Sequence, residues 1–309
     1  MKISLTSIAS IASIASIAST LFITALLYTM IEYPNYVLDY ISQTINYTLY
    51  KIKPKIYEKK WYKIAKANIE KVFPNKSASE VEEIIYESTQ IQILNFLVGL
   101  CGQLLYKYTN YHKSLNYIVP EELEEDRKQH GLIIIMSHYG IFYNITIYAG
   151  SILNHRTYML CHSQKQVTNI LYPKDIYKNN VYVSTEVNDV IIFNKLSKMN
   201  KQHTIIMLCD QRANRSTTEV NFLNQATTFH TSPISIMKTS KRKIWSCHVY
   251  YDNKKKETNI TFEKVIINKE SNQESTQEIA NHLSEKIITN PTQYLWGYDR
   301  FKDIIYQNK

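Results

Sequence analysis

The chain has 309 residues and a formal net charge of +9, from 36 Lys and Arg against 27 Asp and Glu. This length is ample for one α/β domain with a sizeable core, and the basic balance suits anionic partners: a membrane surface, nucleic acid or an acidic protein. None of the four cysteines forms a CxxC pair, which argues against a disulfide framework or a cysteine zinc module, and no base-reading motif or aromatic-interleaved basic patch supports nucleic-acid binding.

No charged residue lies between Lys2 and Glu32, where a Ser-Ile-Ala repeat is followed by the apolar residues 21–31. About 20 apolar residues are needed to span a bilayer, so the repeat has to supply the first turns. The apolar part runs into Tyr28, Met30 and Tyr33 without a small-x-small cleavage site, which favours a retained transmembrane anchor over a cleaved signal peptide. Lys51, Lys53, Lys55, Lys59, Lys60, Lys63, Lys66 and Lys71 follow on its carboxyl side and place the main body in the cytoplasm by the positive-inside rule. Residues 36–50, rich in Tyr, Ile and Leu, read as a second, interfacial helix. The expected division is an anchor and interfacial helix over 1–50 and a single α/β domain over 51–309.

Ser77-Ala78-Ser79-Glu80 has the capping-box pattern and opens an amphipathic helix that continues into an apolar stretch over 91–105. Asn95, Gly99, Gly102 and Gln103 make that stretch a buried or membrane-facing helix rather than a span. The isoleucine-rich run 132–136 is a buried strand, and His138 follows it directly. Side chains past the carboxyl end of such a strand open into the ligand crevice of α/β sheets, where a histidine serves as a general base near neutral pH; a capping or core histidine fits the position as well. A helix is expected over 142–153. Residues 204–208 form a second buried strand, again delivering polar groups, Asp210-Gln211-Arg212, at its carboxyl end. Two more strands, 244–250 and 260–267, flank a turn at Asp252-Asn253-Lys254, and a helix over 275–288 stops before Pro291. The whole reads as a mixed α/β sheet flanked by helices.

Three stretches carry a resemblance. Lys66-Ala67-Asn68-Ile69-Glu70-Lys71-Val72-Phe73-Pro74 looks like an "NL…FP" helix and turn. Asp210-Gln211, with Val220-Asn221-Phe222-Leu223 and Ala226-Thr227-Thr228-Phe229-His230-Thr231, is similar to "DQ…F.G..A.T..G". Pro291-Thr292-Gln293-Tyr294-Leu295-Trp296, continuing to Arg300-Phe301-Lys302, looks like "P.QY.W.H.RFK". In this order they resemble the lipid A late acyltransferases, the lauroyl/myristoyl transferases of the lysophospholipid acyltransferase superfamily.

The resemblance implies a glycerolipid acyltransferase-like fold behind an amino-terminal anchor, on the cytoplasmic side of a bacterial inner membrane. It implies transfer of an acyl chain from acyl carrier protein or acyl-CoA to a lipid hydroxyl, with no metal or organic cofactor. In that family's HxxxxD/E reaction centre His138 is the histidine, and the acidic position is Tyr143. No other histidine has an acid at the fifth position after it, so this spacing offers no other dyad; if the acid is missing, Tyr143→Glu is expected to raise the rate. The resemblance casts Asp210 and Gln211 as residues that hold the site or the acceptor, and Arg300 with Lys302 as binders of acceptor phosphate. Backbone N–H groups at the start of the helix after His138 are the expected oxyanion donors. Asn224 stands where the family has glycine, and Tyr298-Asp299 where it has histidine and a basic residue. A non-catalytic homologue that binds lipid or a partner is the alternative that Tyr143 favours.

Overall fold

A computed structural model of the chain describes residues 29, 31–51, 58–109, 111–161, 180–184, 189–212 and 216–301. The expected anchor over 1–31 lies almost wholly outside the described residues, as does Lys302. Helices α1 (Pro34–Lys51), α2 (Lys60–Val72) and α3 (Ala78–Tyr108) come first. Then follow β1 (Leu115–Tyr117), α4 (Glu121–Gln129), β2 (Leu132–Met136), α5 (Tyr143–Ile152), β3 (Thr157–Cys161), β4 (Asn180–Ser184), α6 (Asp189–Ser197) and β5 (Thr204–Leu208). The chain continues through β6 (Thr217–Phe222), β7 (Gln225–His230), α7 (Ser232–Ser240), β8 (Lys243–Asp252), β9 (Glu257–Lys264) and α8 (Asn272–Thr289).

Among the described residues, seven strands form one mixed sheet in the order β1-β9-β8-β2-β5-β3-β4. Only β8 and β9 are antiparallel, joined through the expected turn after Asp252; the other neighbours are parallel. β2 sits at the centre with every residue buried, as a run of isoleucines demands when helices cover both faces. Its side chains alternate between two apolar layers: Ile133 and Ile135 join the layer containing α2, α8 and the β6–β7 hairpin, and Leu132, Ile134 and Met136 join the layer containing α3 and α5. Each such burial stabilises the fold by about 2 kcal/mol. The capping box at Ser77 is formed with Glu80, and α3 runs unbroken from it for 31 residues. Gly99 and Gly102 let α5 lie close against it, since a methyl there would meet the Tyr143 ring at 2.9 Å and Ile147 Cδ1 at 2.4 Å.

The strands β1, β3 and β4 and the β6–β7 hairpin are elements that the apolar patterning did not announce. The hairpin sequences are polar and threonine-rich, with only alternate residues buried. Its turn places Leu223 and Asn224 at φ 54° and 60°, the doubly left-handed conformation of a two-residue hairpin loop. Asparagine is the side chain that best tolerates it, which explains how Asn224 substitutes for glycine.

Helix α1 is fastened to the body: Lys256 Nζ lies 2.8 Å from Asp39 Oδ2, and Asn46 Nδ2 donates to the Tyr86 carbonyl. Its outer face exposes Tyr36, Tyr40, Ile45 and Tyr47, and Phe96 and Leu100 of α3 are also exposed. Among the described residues one helical stretch, Ala78–Gly102, is long and apolar enough to cross a membrane, and half of its most apolar window is buried inside the protein.

At the opposite end of the sheet from the β2 carboxyl terminus, His155 is held neutral between the Leu153 carbonyl and the Thr204 hydroxyl, each at 2.6 Å. Burial first, and nearby Arg127 second, push its pKa from the ordinary 6.5 down to about 4. Above pH 6.5 the ring is neutral in both folded and unfolded chains. As the pH falls from 6.5 to 4 the unfolded chain takes up a proton that the folded one excludes, so stability falls. Melting temperature measured against pH should decline across this window, and His155→Gln should flatten part of the decline. An unchanged slope in the variant would contradict the assignment.

Candidate active site

The site is built by strand register. β2 and β5 are parallel neighbours paired from Leu132↔Thr204 to Met136↔Leu208, and the Cys209 N–H continues the ladder to the Met136 carbonyl at 2.8 Å. His138 and Asp210 stand at the same offset beyond the last pair, so the register brings them side by side. The Nδ1 of His138 lies 2.8 Å from Asp210 Oδ1. The carboxylate is only 2% exposed. Burial raises the Asp210 pKa, but the adjacent imidazole, hydrogen bonds from the side chain and backbone of His138, and the Tyr294 hydroxyl outweigh it and hold the carboxyl below its usual range. Asp210 is thus an ionised acceptor, which fixes the His138 proton on Nδ1 and leaves Nε2 as the basic atom. Gln211 Nε2 donates to that Nε2 at 3.1 Å, and the Phe142 ring packs edge-on against the imidazole.

A strap from the end of the chain closes over the histidine. The N–H of Gly140 donates to the Gln293 carbonyl at 2.7 Å, and the Leu295 N–H donates to the His138 carbonyl at 3.1 Å, with Tyr139 and Tyr294 paired in an antiparallel bridge. Gln293 is pinned by two hydrogen bonds to the Tyr251 backbone. Tyr294 is buried and, with Asp210 beside it, its hydroxyl is pushed well above the ordinary tyrosine range, so it stays protonated and can donate to Asp210. The strap is in turn tied to α2, where Asn68 Nδ2 donates to the carbonyls of Trp296 and Tyr298. The three sequence stretches that carried the resemblance therefore converge on one place.

The residues singled out from the sequence part company here. His138, Asp210 and Gln211 come together. The acid at His138 is Asp210, 72 residues along the chain, where the fifth-position spacing had offered no partner. The Tyr143 ring stacks on Phe142 with centroids 4.8 Å apart, covers Gly99 and packs against the apolar layer of α3 and α5. Arg300 is 1% exposed. Its guanidinium donates to Thr227 Oγ1 at 2.9 Å and the Thr228 carbonyl at 2.7 Å and stacks over Phe222 and Phe229. It locks the β6–β7 hairpin from within, away from any exposed phosphate. The Tyr298 hydroxyl accepts the Arg212 N–H, so this departure from the family pattern braces the segment after Gln211. The expected oxyanion donors are already engaged: the Tyr143 N–H bonds to Asn95 Oδ1, and those of Asn144 and Ile145 to the carbonyls of Ile141 and Phe142. Tyr294 was missed as a site residue. The signal for the pair was present, because two five-residue buried strands each deliver a polar residue at the same offset.

A protonatable histidine oriented by an ionised, buried carboxylate at the carboxyl end of central parallel strands is an arrangement for general-base chemistry. The family model for bacterial lipid A biosynthesis acyltransferases matches residues 12–303. A search of curated protein sequences finds no significant match. The match covers nearly the whole chain, including every residue of the site, and the chain belongs to the bacterial lipid A biosynthesis acyltransferase family.

Proposed function

We propose that the protein is a membrane-bound O-acyltransferase that moves a fatty acyl chain from an acyl carrier protein (or acyl-CoA) thioester to a hydroxyl of a lipid A precursor or related lipid. The observation that carries this reading is the 2.8 Å His138–Asp210 pair. His138 Nε2 takes the proton of the acceptor hydroxyl as its oxygen attacks the thioester carbonyl. Asp210 stabilises the imidazolium that forms. Collapse of the tetrahedral intermediate breaks the carbon–sulfur bond, and the leaving thiolate takes the proton back, giving ester and thiol. Gln211 occupies Nε2 in this structure, so the acceptor hydroxyl has to displace its amide. Once displaced, that amide stands beside the reacting atoms as a donor for the oxyanion.

The exposed tyrosines of α1 and the apolar groups of α3 suit the headgroup level of a bilayer. We place the 51–309 domain on the cytoplasmic side of the inner membrane, held by residues 1–50, where the basic surface steers an acidic carrier protein. Arg300 serves the acceptor only indirectly, by holding the hairpin. The alternative, a non-catalytic lipid- or partner-binding homologue, rested on a missing acid, and Asp210 removes that support.

The test is transfer of a labelled acyl group from carrier-protein thioester to a lipid A precursor by the purified full-length protein, with His138→Ala as the blank. Transfer above the blank is expected. Tyr143→Glu should not raise the rate, since the imidazole already has its carboxylate. Equal rates for wild type and His138→Ala would overturn the reading.

A further inference from the structure

A second group of ionisable side chains lies on β8, β9 and α8, and the acyl-transfer chemistry makes no use of it. We propose that His248, Glu263 and His282 form a binding site for a divalent transition-metal ion of the zinc class, with a structural role. The antiparallel register pairs Ser246 with Glu263. His248, two residues further along β8, shares their face of the sheet, because side chains alternate along a strand. Helix α8 crosses that face, and His282 and Lys286, one turn apart, point from it together. One ligand atom from each of His248, Glu263 and His282 lies within 4.8 Å of the others.

The detailed geometry suits a metal. The Ser246 hydroxyl sits between the rings, 2.7 Å from His282 Nε2 and 3.1 Å from His248 Nε2. Glu263 Oε2 lies 3.5 Å from His282 Nε2. Its other oxygen, Oε1, is held by Lys286 Nζ at 2.6 Å, the outer-shell hydrogen bond that typically orients a ligating carboxylate. A tetrahedral ion with bonds of about 2.0–2.2 Å needs ligand atoms roughly 3.3–3.6 Å apart, so a closure of about 1 Å by side-chain rotation completes the set. Two imidazoles and one carboxylate favour zinc, cobalt or nickel over magnesium or calcium, which prefer oxygen alone. His248 is buried, with Nδ1 lacking a hydrogen-bond partner among the described residues, while His282 and Glu263 are partly exposed and give the ion its way in. Burial holds both rings below their ordinary pKa, the neutral form that a metal requires. The Tyr139 ring stands edge-on to His248, so an ion here would clamp α8 onto the β8–β9 hairpin directly behind the turn that carries His138.

Chelator-stripped full-length protein titrated with Zn²⁺ in a calorimeter should bind one equivalent and melt at a higher temperature. Co²⁺ in its place should give the visible absorption of a tetrahedral site. His282→Gln and Glu263→Gln should each weaken binding by more than the roughly 10- to 100-fold that loss of an outer-shell partner costs and abolish the thermal gain, with far-ultraviolet circular dichroism confirming that they fold. His138→Ala should bind as wild type does, which excludes the catalytic imidazole as the ligand. No saturable binding by the wild type, an octahedral Co²⁺ spectrum, or unchanged affinity in both variants would overturn the proposal.

Discussion

Asp210→Asn should lower the turnover number about 10⁴-fold, the loss seen when the orienting acid of a comparable histidine–carboxylate pair becomes an amide. That is about 5.4 kcal/mol at 1.36 kcal/mol per tenfold. The amide has nearly the same shape as the carboxylate, so the buried volume is kept. It can, however, turn its NH₂ toward His138 Nδ1, which moves the ring proton to Nε2, the atom that has to be bare. It also cannot neutralise the imidazolium. Tyr143→Phe, by contrast, should stay within about threefold of wild type, because it keeps the ring that stacks on Phe142 and lies against Gly99 and leaves the His138–Asp210 pair untouched. Initial rates of labelled acyl transfer decide both. A loss for Asp210→Asn of less than tenfold, or an equal loss in Tyr143→Phe, would overturn the assignment of Asp210 as the group that orients His138.

The second large effect is on stability. Gly140 has φ +58°, and a methyl built there would stand 1.5 Å from the Val249 carbonyl oxygen and 2.7 Å from its carbon. These atoms are backbone of the central sheet and cannot swing aside. Gly140→Ala should therefore combine left-handed strain with overpacking, together about 3–5 kcal/mol, seen as a fall in melting temperature of roughly 6–15 °C. Relief is available only by pulling the turn off β8, which also breaks the hydrogen bond to Gln293 and displaces His138. Activity and stability should fall together. A variant that melts within about 2 °C of wild type would show that the turn has room that this geometry denies it.

The central strands, the long capped helix and the β8–β9 hairpin were legible in the sequence because each has a strong local signal: apolar runs at 132–136 and 204–208, the Ser77–Glu80 box, and a turn after Asp252. The strands β1, β3 and β4 and the β6–β7 hairpin were not; in the hairpin, Thr217–Phe222 and Gln225–His230 are polar and owe their form to α8 and to Arg300 beneath them. Among the site residues, His138, Asp210 and Gln211 were readable as individuals. Their pairing was not, because it depends on β2 and β5 being adjacent and in register, a property of the sheet and not of either segment. Arg300 shows the opposite error. A basic residue in a family motif suggests phosphate, but only the fold reveals that its guanidinium is buried over the rings of two phenylalanines that pack on each other. The histidines of β8 and α8 carry no pattern at all, being separated by a strand, a turn and most of a helix.

The clasp over His138 comes from far later in the chain than the residues it holds. His138 and Asp210 both leave the ribosome before the segment that supplies the Gln293 carbonyl and the Leu295 N–H, and Tyr294, which helps keep Asp210 ionised, arrives with it. A growing chain can therefore lay down its central strands with the base still unclasped. The order of synthesis thus leaves the His138 turn without its clasp until the strap has threaded back across the sheet, and a chain cut short before Gln293 would lack both hydrogen bonds that hold that turn.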